Sequence, residues 1–299
     1  MQLDFDGKHK VFIQKIQFGA YKNNCETHIL RLDEIHQVIS GNKFFKLQLH
    51  ISNAINLGFD AIATFGGAYS NHILATACLC KEIGLKSVGI IRGEEPLNKS
   101  QTLVQAKDFG MQLHFVTREA FNEKALLKKL YNDDGYYWIN EGGYSRLGAE
   151  GCQEICSWID ESYTDIVCAV GTGTMMAGLV IGANPQQKIT GVSVLKGNDN
   201  LINEMRELLS EGEKNKNYRL VSDYHFGGYA KHPQELIDWM NTFYAQAKVP
   251  TDIVYTSKLC FAVNDLLKKK YFAPNSKIMI IHSGGLQGNN SLKAGTLAY

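Results

Sequence analysis

The feature that most constrains the fold of this chain is a repeated alternation of short apolar runs with segments of helical periodicity. Six apolar runs have the length of buried strands: residues 61–65, 87–91, 112–116, 165–170, 189–195 and 277–282. Between them, the periodicity predicts helices over residues 44–57, 71–84, 99–109, 119–131, 146–161 and 172–184. This alternation predicts an α/β fold with parallel sheets. Ligands of such folds bind where strand carboxyl ends meet helix N-termini.

Composition narrows the class of protein further. The 299 residues are 44% hydrophobic, enough for a substantial core in one large domain or two smaller ones. With 31 basic and 30 acidic side chains, the net charge of +1 gives no electrostatic reason to expect nucleic acid or a membrane surface as a partner. The N-terminal segment lacks the apolar region of a secretory signal, and no apolar run approaches the roughly 20 residues of a membrane span. We therefore expect a cytoplasmic protein.

The cysteines point away from disulfides and metals. The chain has seven cysteines and no CxxC pair, which favours reduced thiols over a disulfide framework or a structural zinc site. Cys152 and Cys156 are four residues apart on a predicted helix, but no further ligand completes a metal site around them. We predict no metal.

The first candidate catalytic residue is a lysine at the start of a predicted helix. In the sequence Ser40-Gly41-Asn42-Lys43, a turn leads directly into the helix at residue 44. The positive end of the helix dipole disfavours a charged lysine there, and burial would lower its pKa in the same direction. A partly neutral amine can form an imine with an aldehyde cofactor. Taken alone, an ordinary surface lysine is the simpler interpretation of Lys43.

Two glycine-containing motifs lie at predicted strand ends. In FGGAYSNH, residues 65–72, the two glycines would let a flat ligand approach the backbone. Ser70 or Asn71 fits an ordinary helix N-cap, but capping does not explain why the glycines and Tyr69 accompany them. In HSGG, residues 282–285, a hydroxyl and two glycines again follow a strand.

A third motif, VGTGTMMAG at residues 170–178, predicts a phosphate site. Backbone N–H groups of such a loop, together with a helix N-terminus and threonine hydroxyls, bind anions. A dinucleotide fingerprint needs GxGxxG and an acidic residue about 20 positions later. Here the glycines stand at 171, 173 and 178, and residues 188–197 contain no acid, which argues against NAD. A Walker A loop is excluded because no Gly-Lys-Ser/Thr follows.

Six motifs in order carry a family resemblance: RLDEIHQVISGNKFFKL, FGGAYSNHILATA, INEGGYSRLG, VGTGTMMAG, DIVYTSK and IIHSGG. From about residue 28 to the C-terminus, the chain resembles the fold-type II pyridoxal-phosphate enzymes of the tryptophan-synthase-β superfamily. Within it, the chain is most similar to the 1-aminocyclopropane-1-carboxylate deaminase and D-cysteine desulfhydrase family. The resemblance implies two domains, each an open, mainly parallel twisted sheet flanked by helices, with the cofactor in the cleft between them. It implies a large cofactor-binding domain of residues 1–45 and 141–299, a small domain of residues 46–140, and a homodimer.

The resemblance also implies cofactor-binding residues. Lys43 would hold pyridoxal 5'-phosphate as a Schiff base and shuttle the substrate proton, and Asn71 would hydrogen-bond the phenolic oxygen of the cofactor. The phosphate would be held by the loop residues Gly171, Thr172, Gly173 and Thr174.

On the substrate side, the resemblance implies that Ser70 meets the substrate carboxylate or acts in proton transfer. Tyr229, in HFGGYAK, and Tyr255, in IVYTSK, match tyrosines that line the substrate pocket. A tyrosine there can serve as a donor, an acid or, if its pKa is lowered, a base.

Departures from the family pattern suggest the reaction. In the deaminases, a glutamate lies at the pyridine nitrogen. This chain has Thr256 at that position, and the desulfhydrases also have a threonine there. A hydroxyl, from Thr256 or Ser283, would leave that nitrogen neutral and weaken the electron sink. We therefore expect a carbon–sulfur lyase that converts D-cysteine to pyruvate, sulfide and ammonia by β-elimination. Tyr69 replaces a usual glutamine and Phe45 a common arginine, so we expect a pocket unlike that of either named activity.

Three alternatives stay open on the sequence alone. The first is a 1-aminocyclopropane-1-carboxylate deaminase. The second, of another class, is a non-catalytic protein that binds pyridoxal phosphate or a phosphate metabolite, although such a protein would not need Lys43, Ser70 and Tyr255 together. The third, an NAD-linked oxidoreductase, lacks the acidic residue it requires.

Overall fold

A computed structural model describes residues 11–19, 24–131 and 135–299 of the chain. The larger of its two sheets contains β1 (Ile13–Ile16), β2 (Glu26–Arg31), β7 (Asp165–Val170), β8 (Lys188–Ser193), β9 (Tyr218–Val221) and β10 (Lys277–His282). These strands follow the order β1-β2-β10-β7-β8-β9. The edge strand β1 pairs antiparallel with β2, and every other pairing in this sheet is parallel.

The smaller sheet contains β3 (Ala61–Gly67), β4 (Lys86–Arg92), β5 (Gln112–Val116) and β6 (Tyr137–Ile139). Its order is β5-β4-β3-β6, and all of its pairings are parallel. The central strands of both sheets are almost wholly buried, because helices cover both faces of a parallel sheet. All six strands predicted from the apolar runs are present, and the predicted α/β fold with two mainly parallel sheets is confirmed.

Ten α-helices connect the strands within the described residues. They are α1 (Asn42–Asn56), α2 (Asn71–Ile83), α3 (Gln101–Asp108), α4 (Arg118–Asn122), α5 (Lys124–Leu130), α6 (Arg146–Gln153), α7 (Thr174–Gly182), α8 (Leu201–Glu207), α9 (Gln234–Ala247) and α10 (Thr256–Lys268). Short 3-10 segments occur at Leu32–Glu34, Glu141–Gly143, Glu154–Trp158, Glu213–Asn215 and Leu286–Ser291. None of the helices in the described part of the chain has the length and apolar character that a membrane span requires.

Two of the predicted helices differ from the structure. The helix expected over residues 119–131 is divided into α4 and α5, because the backbone leaves the helical region at Glu123, with φ −89° and ψ 53°. The helix expected over 146–161 is α-helical only to Gln153 and continues as a 3-10 segment to Trp158. Both differences change loop geometry without changing the order of the layers.

Glycines in α6 and α7 allow the helices that carry the site to pack closely. A Cβ at Gly151 would lie 2.0 Å from the carbonyl oxygen of Phe45 in α1. A Cβ at Gly178 in α7 would lie 2.4 Å from the carbonyl oxygen of Ala149 in α6. Because these contacts leave no room for a side chain, α1, α6 and α7 are held against one another by backbone contact. The N-terminal ends of α1 and α7 are thereby fixed relative to each other.

The proposed division of the chain agrees with the sheets but not with one helix boundary. All four strands of the smaller sheet lie between residues 61 and 139, inside the predicted small domain of 46–140. Helix α1 begins at Asn42 and runs through the predicted border at 45/46 without interruption. The domain borders themselves stay a prediction.

Candidate active site

A cavity of about 750 Å³ lies where strand carboxyl ends of both sheets meet. Gly67 and Arg92 reach it from the ends of β3 and β4, Ala169 from β7, and Ser283 from the segment after β10. Eight of the residues predicted from the sequence line it: Lys43, Ser70, Asn71, Gly171, Thr172, Tyr229, Tyr255 and Ser283. Three do not line it: Gly173, Thr174 and Thr256. Residues from motifs more than 200 positions apart therefore converge on one site.

Lys43 enters the cavity from the first turn of α1. The preceding Gly41 has φ +63°, and a Cβ there would lie 1.9 Å from the carbonyl oxygen of Ser283, so only glycine fits this turn. The ammonium Nζ donates to Oδ1 of Asn42 at 2.7 Å. Although the side chain is reached through the cavity, protein surrounds it, and this burial together with the charge of Lys46 lowers the pKa of Lys43 to about 7. The amine is therefore partly neutral at physiological pH.

A second lysine, Lys46, follows one helical turn later and was not predicted from the sequence. It is 4% exposed, and its Nζ donates to the carbonyl oxygen of Gly142 at 2.9 Å and to Oγ1 of Thr172 at 3.4 Å. Burial lowers its pKa. The three-residue spacing from Lys43 places both side chains on one face of the helix, which is the sequence signal for a second cation in the site.

In the glycine-threonine loop, residues 171–174, the first two residues line the cavity and the last two do not. Gly171 and Thr172 line the cavity, whereas Thr174 is fully buried as the first residue of α7, with its Oγ1 2.9 Å from Oγ1 of Thr172. Gly173 has φ +80° and faces Met205 rather than the cavity. Thr172, the N-terminus of α7 and Lys46 converge, so the loop has the donors and the charge of an anion site.

The SNH segment starts helix α2 at the cavity wall. Oγ of Ser70 accepts from the N–H of Ile73 at 3.3 Å, so Ser70 is the N-cap and also faces the cavity. Oδ1 of Asn71 is buried and has no hydrogen-bond partner among the described residues. Since a buried polar group without a partner is unfavourable, a ligand that bonds to Asn71 would satisfy it.

A contact of Thr256 with the pyridine nitrogen would require its side chain to face the cavity. The side chain of Thr256 is instead buried and does not line the cavity. Its hydroxyl donates to Oδ1 of Asp252 at 2.6 Å and accepts from the N–H of Asp252 at 2.7 Å. The carboxylate of Asp252 also accepts from the backbone N–H groups of Val254, Tyr255 and Thr256. Thr256 therefore closes the turn that positions Tyr255, and of the two hydroxyls that were considered only Ser283 lines the cavity.

Tyr255 and Tyr229 pack edge to face in the wall of the cavity. Their ring centroids are 6.2 Å apart at an interplanar angle of 75°, and Nζ of Lys43 lies 6.0 Å from the centroid of Tyr255. Burial raises the pKa of Tyr255 well above its ordinary value and also raises that of Tyr229. Both hydroxyls are therefore protonated at neutral pH and can donate.

A buried lysine holds the segment that carries Tyr229. Nζ of Lys258, in α10, donates to the carbonyl oxygens of His225 at 2.9 Å and Gly228 at 2.7 Å. Burial lowers the pKa of Lys258 to about 8. Positive φ angles at residues 226, 227, 228 and 230 show that this loop is tightly folded, and Lys258 ties it to the helix that begins beside Tyr255.

Tyr69 and Phe45, the two departures from the family pattern, lie in different environments. Tyr69 is 57% exposed and lines the cavity. Phe45 is fully buried, packs edge-on against Phe44 and Trp158, and does not line the cavity. Phe45 therefore contributes no side-chain surface to the cavity, because this face of α1 points into the core.

One cluster outside the cavity has the composition of a metal site but not its chemistry. His36, Cys78 and Glu82 bring their ligand atoms within 4.8 Å of one another. Nδ1 of His36 accepts from the N–H groups of Val38 and Ile39 at 3.1 and 2.9 Å, which places the ring proton on Nε2. That nitrogen lies 3.1 Å from Oε1 of Glu82. Its proton is directed at a carboxylate, so it offers no lone pair to a metal.

Comparison with known proteins gives a consistent result. A family profile described as "Pyridoxal-phosphate dependent enzyme" matches residues 14–284. A Pyrococcus abyssi protein provisionally named as a 1-aminocyclopropane-1-carboxylate deaminase is 30% identical, over 88% of this chain and 85% of that protein. The bifunctional D-cysteine desulfhydrase/1-aminocyclopropane-1-carboxylate deaminase of Arabidopsis thaliana is 28% identical, over 92% of this chain and 76% of that protein. A crystal structure described as that of a 1-aminocyclopropane-1-carboxylate deaminase homologue superposes with a TM-score of 0.76 at 27% identity, covering 93% of this chain and 90% of that one.

Proposed function

The chain belongs to the pyridoxal-phosphate-dependent enzyme family, and we propose that it is a lyase that eliminates the β-substituent of a small amino acid, with D-cysteine as the first substrate to test. The proposal is supported by the cavity between the two sheets, where an amine of lowered pKa, an anion site and two protonated tyrosines meet. It is also supported by the likeness to a bifunctional plant enzyme whose name includes D-cysteine desulfhydrase.

The residues present fit the cofactor. Lys43 offers a partly neutral amine to its aldehyde, and the buried Oδ1 of Asn71, which has no partner among the described residues, can accept from its phenolic hydroxyl. Thr172, Lys46 and the N-terminus of α7 fit its phosphate. Gly285 lies close to Asn71, because a Cβ there would be 3.1 Å from Nδ2 of Asn71. A side chain at residue 285 would therefore crowd the amide. When bound, pyridoxal phosphate withdraws electrons from the bonds at the substrate Cα.

The side chains of the protein supply binding and proton transfer. With its pKa near 7, Lys43 can both take up and return a proton at neutral pH, which suits the removal of the Cα proton. Ser70 and the N-terminus of α2 face the cavity and can receive the substrate carboxylate. The raised pKa of Tyr255 makes its hydroxyl a donor that can protonate or hydrogen-bond the departing group.

A single observation carries the choice of β-elimination. The segment after β10 presents the hydroxyl of Ser283 to the cavity, and the nearby carboxylate of Asp252 is occupied by three backbone N–H groups and the hydroxyl of Thr256. A hydroxyl at the pyridine nitrogen leaves that nitrogen neutral. With this weaker electron sink, the bound cofactor would favour substrates that carry a good leaving group on Cβ.

The alternative activity is the opening of 1-aminocyclopropane-1-carboxylate, which the provisional names of archaeal relatives favour. The test is to incubate the cofactor-loaded protein with D-cysteine, L-cysteine and 1-aminocyclopropane-1-carboxylate and to measure sulfide, ammonia and keto acid. We expect sulfide, ammonia and pyruvate from D-cysteine. A four-carbon keto acid from the cyclopropane substrate without sulfide from either cysteine would reject the proposal in favour of the deaminase. No keto acid from any of the three substrates would count against both activities and favour a non-catalytic binding protein.

A further inference from the structure

Arg92 is a charged residue of the cavity that the proposed reaction does not use. It is the last residue of β4, in register with Gly67 at the end of β3. Its guanidinium lies beside Gly67, since a Cβ on Gly67 would be 3.7 Å from Nη2 of Arg92. Gly67 begins the loop that continues to Ser70 and Asn71, so Arg92 stands beside the segment to which the substrate carboxylate is assigned.

The surroundings of Arg92 leave its charge without an acidic partner among the described residues. The guanidinium carbon is 5.7 Å from the ring centroid of Phe121, and Nζ of Lys124 is 4.9 Å from the same centroid. Lys124 is paired with Glu141 at 2.8 Å, whereas no carboxylate of the described residues pairs with Arg92. These two cations and one carboxylate line the cavity. This wall therefore carries a net positive charge in the exposed guanidinium of Arg92, which is open to an anionic ligand.

The other anionic groups of the reaction have positions of their own. The cofactor phosphate is assigned to Thr172, Lys46 and α7, and the substrate carboxylate to Ser70 and α2. Arg92 lines the same cavity as Tyr229, and its guanidinium lies near Gly67, three residues before Ser70. A guanidinium presents a planar set of donors that binds oxyanions in two-point fashion.

Resting on the proposed function, we infer that Arg92 binds an anionic substituent on the substrate Cβ, so that the enzyme selects amino acids with a negatively charged side chain. Carboxylate, sulfonate, sulfate and phosphate groups carry this charge at neutral pH, and a thiol carries it when it is deprotonated. For a substrate with leaving group X, the Cα–H and Cβ–X bonds break, and the amino acid plus water yields pyruvate, ammonia and HX. Arg92 would stabilise the negative charge on X before and during its departure.

Aspartate and asparagine provide the sharpest probe, because they have the same shape, differ in side-chain charge and carry no good leaving group. The cofactor-loaded protein is titrated with each, in both stereochemical forms, while the absorption band of the bound cofactor is followed. We expect the wild type to bind aspartate about tenfold more tightly than asparagine, the effect of one partly exposed charge-assisted hydrogen bond. In R92Q we expect the ratio to fall to about one through weaker binding of aspartate alone.

Arg219 supplies a matched control. It is exposed on β9 outside the cavity and also lies over a ring, 5.1 Å from the centroid of Tyr271. R219Q should keep the preference of the wild type. Equal binding of the two amino acids by the wild type, or an equal loss for both in R92Q, would overturn the inference and leave the proposed function standing. If neither these nor any other amino acid changes the band although cofactor is bound, the proposed function itself fails.

Discussion

Lys43 and Lys46 reach the same cavity from the first turns of α1, and the charge of Lys46 helps burial to lower the pKa of Lys43 to about 7. The site needs both a partly neutral amine and a cation, and a single lysine cannot be both at once. Lys43 supplies an amine that is partly neutral, while Lys46 supplies a cation next to Thr172. The spacing along the helix is the simplest means of placing both groups on one ligand.

This relationship predicts the pH dependence of cofactor attachment. The rate at which the cofactor-free protein combines with pyridoxal, which lacks the phosphate, should rise between pH 6 and 8 with a midpoint near 7, because only the neutral amine of Lys43 reacts. In K46M the midpoint should move upward by roughly one pH unit, since removal of the neighbouring positive charge favours protonated Lys43. The exposed Lys268 provides the control K268M. An unchanged midpoint in K46M would contradict the relationship.

Replacement by alanine should change the unfolding free energy much less at Asn71 than at Asn289. Because Oδ1 of Asn71 has no partner among the described residues, N71A should change the unfolding free energy of the cofactor-free protein by only about 0.5 kcal/mol. Asn289 accepts from the N–H of Ile253 and donates to the carbonyl oxygen of Thr251, so N289A should cost about 1–3 kcal/mol. Urea unfolding measures both. Cofactor titration should show about tenfold weaker binding in N71A, and unaltered affinity there would remove Asn71 from the cofactor site.

Much of the fold and part of the site could be predicted from the sequence because the information is local. The apolar runs at residues 165–170 and 277–282 form central strands, and Gly41, Ser70 and Asn71 occupy the turn and helix start that their motifs predict. The role of Lys46 depends on a carbonyl 96 residues away at Gly142. Arg92 acquires a place in the site only when β4 pairs with β3.

The hydroxyl of Thr256 shows the same dependence on three-dimensional structure. The sequence supplies two hydroxyls, Thr256 and Ser283, for one position at the cofactor ring. Asp252, four residues before Thr256, takes that hydroxyl into the turn that precedes α10. A sequence pattern does not reveal which of several nearby acceptors a threonine hydroxyl will choose, since the choice depends on the backbone geometry of the turn.

Tyr255 should behave as a proton donor across the physiological range. We expect Y255F to lower kcat about 100-fold with cofactor affinity changed only a few-fold. Because burial raises the pKa of Tyr255 well above its ordinary value, the wild type should show no loss of kcat between pH 8 and 9.5 from this group. The pH profiles of both proteins provide the check. A wild-type ionisation between pH 7 and 8 that disappears in Y255F would instead make the tyrosine a base.

Lys258 should influence substrate binding without touching the substrate. K258M removes the two hydrogen bonds to the loop of Tyr229, so KM should rise about tenfold while kcat changes less. With the pKa of Lys258 lowered to about 8, the positive charge that strengthens these bonds is lost as pH rises through 8. The KM of the wild type should therefore rise above pH 8, and that of K258M should not. K268M serves as the control. A KM for K258M equal to that of the wild type would show that Lys258 does not affect substrate binding through the loop of Tyr229.

The central claim is that Lys43 is the residue to which the cofactor is bound. Borohydride reduction of the loaded protein, followed by proteolysis and mass spectrometry, fixes the cofactor to the lysine that holds it. We expect one modified peptide, with the added mass on Lys43 and none on Lys46, although both lysines line the cavity. Added mass on Lys46, or a loaded protein in which no lysine is modified, would contradict it.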